Sequence, residues 1–238
     1  MKIKKLIVSL LLFSMVFGLG NVQVHAATQS SDAFNTESVA KKWSEINKKL
    51  VVRSDAKDKA VTRNSALTAS VSLSGNTSGG GSSSQSTGTY PTRKGVILVT
   101  ADKFKGILPL GHAAIIYSAS YVVEALSDGV VLGKNNWNTT RETCYGVTVS
   151  STTATQDAQA ADYCYNQLNK PYNYNYFNMG TREKFYCSHL VWAAFKDLFG
   201  IDLNTSFADI VIGNTVISQA IHPLELVDTS LTYTIYVK

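Results

Sequence analysis

The sequence predicts an α+β fold, and three observations point to it. Short apolar runs with strand character crowd between Gly95 and Ser150. Two helical patterns follow, over Thr153–Leu168 and Cys187–Phe199, and one last strand-like run, TYTIYV, closes the chain. Strands and helices are segregated, which favours an antiparallel sheet packed against helices over a doubly wound sheet.

The elements are taken in chain order. Residues 1–26, MKIKKLIVSLLLFSMVFGLGNVQVHA, join three lysines to an apolar run and end on small residues at Val24 and Ala26. This is the pattern of a signal peptide cleaved after Ala26, so the mature protein is expected to be secreted. The apolar run, Leu6 to Leu19, is shorter than the roughly 20 residues a membrane span needs. No stable transmembrane span is expected after cleavage. No cysteine follows the run, so a lipoprotein anchor has no attachment point.

Residues 27–63 form an N-terminal helical segment. In TESVAKKWSEINKKL, Val39, Trp43, Ile46 and Leu50 recur at intervals of three and four, the spacing of one helix face. Such a helix either docks on the main domain, frays in solution, or serves as a pro-segment or envelope contact. Residues 64–89 end in SGNTSGGGSSSQSTG. This Gly/Ser-rich composition buries too little apolar surface to offset its ordering entropy, so it reads as a linker. The globular domain is expected over residues 90–238.

Within that domain GVILVTA reads as a buried strand, and HAAIIYS and YVVEAL as a strand pair joined by a tight turn. DGVVLG supplies another strand after an Asp-Gly turn, and VTVS comes next at Val147. The first helix has Thr155 as its expected cap and Ala158, Ala161, Cys164, Tyr165 and Leu168 on one face. The second runs from Cys187 to Phe199, stopped by Gly200, with Leu190, Val191, Ala194, Phe195 and Leu198 as its apolar face.

The formal charge of +5 is unevenly distributed. Residues 1–26 hold three lysines and no acids, residues 27–89 eight basic and five acidic groups, and residues 90–238 eleven basic and twelve acidic groups. The domain is therefore near neutral, and nothing in it makes an electrostatic case for nucleic-acid binding. Three cysteines, Cys144, Cys164 and Cys187, are too few for a disulfide scaffold. Their odd number leaves at least one thiol over, and pairing of Cys144 with Cys164 stays open.

Cys187 heads an apolar helix. Helix-head N–H groups and the positive dipole end stabilise a thiolate, and the same groups can hold a developing oxyanion. Position alone leaves that reading level with a small buried core residue. A nucleophilic thiolate needs a base. His112 opens the apolar run HAAIIY and is the preferred candidate. His189, two residues past Cys187, lies about 200° round the helix and points away from the thiol. His222, before Pro223, is a weaker alternative. Glu124 is the one charge in YVVEAL. Beside His112 it would fix the imidazole tautomer and stabilise the imidazolium; strand alternation equally allows it to face solvent. Tyr174, Tyr176 and Phe177 either line a groove or pack a loop over the core, and Trp137 and Trp192 read as structural. The short-spaced ligand clusters of zinc proteins are absent, so neither metal nor cofactor is expected.

KPYNYNYF followed by FYCSHLVWAAF resembles the Pro-Tyr…Cys-Ser-x-Leu-Val segment of NlpC-type papain-like cysteine hydrolases. LGHAAIIY and VVEAL resemble that family's histidine strand and its neighbour. Histidine precedes cysteine here, as in the circularly permuted YiiX/YaeF-like branch. The resemblance spans Gly95 to the C-terminus and implies a permuted papain-like fold. It implies Cys187 as nucleophile, His112 as base and Glu124 as orienting residue. Tyr172 of the Pro-Tyr motif, Ser188 and Tyr186 are implied near the oxyanion or bound acyl group. His189 stands where the main family often has glycine, and Gly95–Val96 where it often has Gly-Asp.

The expected activity is hydrolysis of amide bonds through a thioester acyl-enzyme, by a chain acting as a monomer. The expected substrates are cell-envelope peptides such as peptidoglycan stems, with possible association with the wall. Alternatives on the same site are an N-acyl or lipid amidase or acyltransferase, and a catalytically inactive envelope-binding module.

Overall fold

The computed structural model describes residues 36–57, 86–103, 110–212 and 215–238. The expected signal peptide and most of the Gly/Ser-rich segment lie outside the described residues. The strands are β1 (Ile97–Thr100), β2 (His112–Ile116), β3 (Tyr121–Leu126), β4 (Gly129–Lys134), β5 (Tyr145–Val149), β6 (Ile210–Ile212), β7 (Thr215–Ser218) and β8 (Thr232–Val237). The helices are α1 (Thr36–Lys49), α2 (Trp137–Thr140), α3 (Ala154–Tyr165), α4 (Cys187–Phe199) and α5 (Glu225–Asp228). Six strands form an antiparallel sheet in the order β4-β3-β2-β1-β5-β8, while β6 and β7 form a separate hairpin.

Both faces of the central strands are covered, which explains their unbroken apolar runs. Ile97, Val99, Ala113, Ile115 and Val123 join the core that contains α4, whereas Val96, Leu98, Ala114, Ile116 and Val122 pack with Trp137 on the other side. Successive residues of a strand alternate between faces, so a strand covered twice carries no polar alternation. Cys144 belongs to one core and Cys164 to the other, and all three thiols are free. The sheet therefore separates the pair whose linkage the sequence left open.

The helices match expectation with local differences. The cap of α3 is Thr153, not Thr155: its hydroxyl accepts the Gln156 N–H while the Gln156 side chain accepts the Thr153 N–H. This reciprocal capping box satisfies two donors at once, which a cap two residues later cannot do. The helix stops at Tyr165, because the N–H groups of Gln167 and Leu168 bond three residues back in tighter turns. In α4 every residue from Cys187 to Phe195 is buried, well beyond a single apolar face, and Leu198 is 44% exposed where the last turn leaves the core. Gly200 ends the helix at φ 69° with its N–H on Lys196 O, a left-handed cap that suits glycine.

Helix α1 docks on the domain. Val39, Trp43 and Ile46 are buried in the α4-side core, and the Trp43 ring stacks on Tyr145 at 4.9 Å. The Tyr145 hydroxyl donates to Asn47 at 2.9 Å, and Lys42 pairs with Asp228 at 2.7 Å. Beyond the helix, Val52 bridges Thr234 of β8. Lys57 then enters a buried polar cluster, donating to Asp157 (2.8 Å), Val149 O (2.6 Å) and Thr152 (2.9 Å). Arg93 ties Asp55 to the same Asp157 carboxylate.

Candidate active site

Cys187 stands at the first position of α4, where the backbone turns from extended to helical at Tyr186. No side chain caps this helix start, so its N–H groups stay available to the site. The backbone N–H groups of Ser188 and Ala113 act on the Cys187 sulfur and favour its thiolate. The Pro-Tyr segment fixes the approach to the helix. Phe185 N–H donates to Pro171 O, Asn173 N–H donates to Phe185 O, and Tyr172 lies beside Phe185 in parallel pairing.

His112 follows Gly111, whose φ of +58° is left-handed and whose hydrogen leaves room for Thr100 O at 2.7 Å from where a Cβ would sit. That turn delivers His112 to the first position of β2. Glu124 on β3 pairs with Ala114, two residues beyond His112 on the same face, so the two side chains are diagonal neighbours. Their Nε2 and Oε2 atoms are 2.6 Å apart. Glu124 is buried, 6% exposed, and does not face solvent. Its other oxygen rests on Gly133 of β4, where any Cβ would overlap it. With Nε2 on Glu124, Nδ1 is the ring nitrogen left to interact with Cys187.

The electrostatics favour a thiolate–imidazolium pair. Burial pulls the His112 imidazole down, but its bonds to Cys187 and Glu124 and their negative charges outweigh this and lift it to about 9. Burial pushes the Cys187 thiol up, yet the His112 bond and charge, with the Ala113 and Ser188 N–H groups, hold it below its ordinary value. The other thiols behave oppositely: burial pushes Cys144 up to about 12 and Cys164 higher still.

Cys187 and His112 open on a cavity of about 360 Å³, walled largely by apolar and aromatic side chains, among them Tyr172, Tyr174, Tyr176 and Ile221. Tyr172 is hydrogen-bonded to Tyr176 and its ring lies 4.9 Å from that of Tyr174. Burial, then the Cys187 charge, suppress its ionisation. Ser188 and Tyr186 also border the cavity, but their hydroxyls are engaged elsewhere. Ser188 donates to Ile221 O at 2.7 Å and Tyr186 accepts the Ile221 N–H at 3.1 Å, so both fix one wall residue. It is the Ser188 N–H that meets the sulfur. No residue of the 36–57 segment lines this cavity.

His189 is fully buried, with Nε2 3.0 Å from Met179 O; burial and Arg182 push it down to about 4, which keeps it neutral. His222 borders the cavity, and its Nδ1 accepts the Leu224 N–H. Trp137, read from the sequence as structural, stacks its ring on His112 at 5.4 Å, and Arg141 lies over the Trp137 ring at 4.9 Å. Neither this stack nor the Gly133 seat left a local sequence signal, since each joins residues far apart in the chain. Among the described residues no group of three or more His, Cys, Asp or Glu side chains is placed to hold a metal ion. No helix among them is long and apolar enough to cross a membrane.

A cysteine heading a buried helix and facing a histidine strand of an antiparallel sheet is the papain-like arrangement, here with histidine first in the chain. The chain belongs to the permuted papain-like amidase family YaeF/YiiX, C92, whose model matches residues 96–221. The solved structure of metalloprotein yiiX from Escherichia coli O157:H7 is similar at 15% identity and a TM-score of 0.45, over 60% of this chain and 96% of that one. No curated protein matches.

Proposed function

We propose that the protein is a secreted cysteine hydrolase that cleaves amide bonds of cell-envelope peptides, with Cys187, His112 and Glu124 as its working groups. The observation that carries this reading is the convergence of the Cys187 sulfur and the His112 ring on one cavity, with His112 Nε2 2.6 Å from Glu124 Oε2 behind it. The thiolate attacks the amide carbonyl carbon, and N–H groups at the head of α4 receive the charge on its oxygen. His112 gives its proton to the leaving nitrogen, the C–N bond breaks, and the acyl group stays on sulfur as a thioester. His112 then takes a proton from water, which attacks the thioester and releases the acid. Glu124 holds the ring and stabilises its charge throughout. The leader-like residues 1–26 support export, and export supports an envelope substrate.

Incubation of the purified mature protein with isolated wall peptides tests this. New amino termini should appear with the native protein and be lost in Cys187→Ala; intact peptides after long incubation would count against the substrate. The apolar and aromatic cavity walls support a second reading, an N-acyl or lipid amidase on the same residues. Release of fatty acid from N-acyl amides, with wall peptides left intact, would favour it. A site that binds without chemistry would leave Cys187 unreactive to iodoacetamide at neutral pH.

A further inference from the structure

One cation on the cavity wall has no part in the reaction described above. Arg141 comes directly after α2 and lines the cavity. Its guanidinium carbon lies 4.9 Å from the Trp137 ring, which in turn stacks on the His112 ring at 5.4 Å with 26° between the planes. The guanidinium is thus held against an indole within two stacking distances of the imidazole. Stacking of this kind orients the planar fork and leaves its N–H edge for a partner.

Among the described residues no carboxylate pairs with it. The acid that shares its wall, Asp102, accepts instead the N–H groups of Glu142 and Thr143 and the Thr143 hydroxyl. Glu124 is bound to His112. An arginine fork held beside an apolar cavity and paired with no carboxylate among the described residues is suited to a ligand anion, and carboxylate matches its geometry.

The side of the site on which it lies specifies where that anion is carried. His112 hands its proton to the departing nitrogen, so the amine half of a substrate lies against the His112–Trp137–Arg141 stack. The acyl half is left to the tyrosine-lined remainder of the cavity. We propose that Arg141 binds a carboxylate on the amine half, so that the preferred substrate is an N-acylated amino acid or short peptide with a free carboxylate close to the scissile amide. This rests on the hydrolase reading and narrows its substrate class.

Two alkylating agents test the assignment without turnover. Iodoacetate and iodoacetamide displace iodide onto the same sulfur and differ in the carboxylate. The ratio of the iodoacetate rate to the iodoacetamide rate on Cys187 should fall on the order of tenfold from native protein to Arg141→Gln, the loss of one charge-assisted bond. Arg141→Lys should restore part of it. The iodoacetamide rate should stay unchanged in both variants, which also reports an intact fold. Equal ratios in native protein and Arg141→Gln, or an equal fall with both reagents, would overturn the assignment. A parallel assay compares an N-acyl dipeptide with its C-terminal amide. Cleavage of both with no Arg141-dependent preference refutes the carboxylate site and leaves the hydrolase reading standing. An Arg141-dependent alkylation ratio with no cleavage of any amide keeps the anion site and removes the hydrolase.

Discussion

At the residue scale the site turns on how much of its charge is fixed before any substrate arrives. Cys187 is held below its ordinary acidity range by His112 and two N–H groups against the pull of burial, and His112 is lifted to about 9. The signs give a window. Below the lowered thiol value the sulfur is protonated; above about 9 the imidazole loses the proton that the proposed reaction has it donate. Iodoacetamide should therefore label Cys187 at neutral pH faster than Cys144, and amide hydrolysis should decline as pH rises through about 9. A pH–rate profile with no fall on that alkaline side would contradict the assignment. Because Glu124 helps to raise the imidazole, Glu124→Gln should move the alkaline limb to lower pH and reduce the rate on the order of 10²-fold. A variant with an unmoved limb would show that Glu124 serves packing alone. Cys187, His112 and Glu124 could be singled out in the sequence because each is a chemically distinct residue in an apolar run, and the structure brings them together as a candidate site. The roles of Gly133 and Trp137 were not, since a glycine making room for a carboxylate on the neighbouring strand has no local pattern.

At the scale of elements, long strongly patterned segments were the readable ones. The six sheet strands and the two long domain helices stand where their apolar runs place them. The hairpin β6–β7 and the helices α2 and α5 have no counterpart in the sequence reading: the helices are single turns, and the hairpin lies outside the main sheet, with β7 largely exposed and so without a long apolar run. Leu198 departs from its expected burial because helical periodicity cannot tell where a buried helix emerges from its surroundings. Helix α1 shows what periodicity does convey: its predicted stripe is the stripe that packs. Trp43→Ala removes a buried ring stacked on Tyr145 and should cost about 3–5 kcal/mol of stability. Chemical denaturation would measure it, and a loss under about 1 kcal/mol would mean that α1 is held mainly through residues 50–57.

For the whole molecule, the buried cluster around Asp157 matters most. One carboxylate receives Lys57, Arg93, Thr148 and Thr152, and through Lys57 and Arg93 it secures the end of the N-terminal segment. Asp157→Asn leaves two buried cations without their shared anion and should cost about 3–5 kcal/mol. Hydrogen exchange should rise across residues 50–57 and α3 while α4 keeps its protection; uniform loss across the domain would point to global unfolding instead. This arrangement was invisible in the sequence, because a charge-rich segment ahead of a Gly/Ser-rich stretch resembles any solvated tail.

Strand β8 gathers the chain on both sides of that stretch: Val52 bridges Thr234, and Thr87 bridges Val237. The chain on either side of residues 58–85 is thus held on one strand, and scission between those flanks should not liberate the N-terminal piece. A protease that cuts once between residues 58 and 85 should yield a two-chain protein that co-elutes on gel filtration and separates only in denaturant. Maturation by a single internal cut would then alter connectivity while leaving residues 36–57 docked away from the Cys187 cavity.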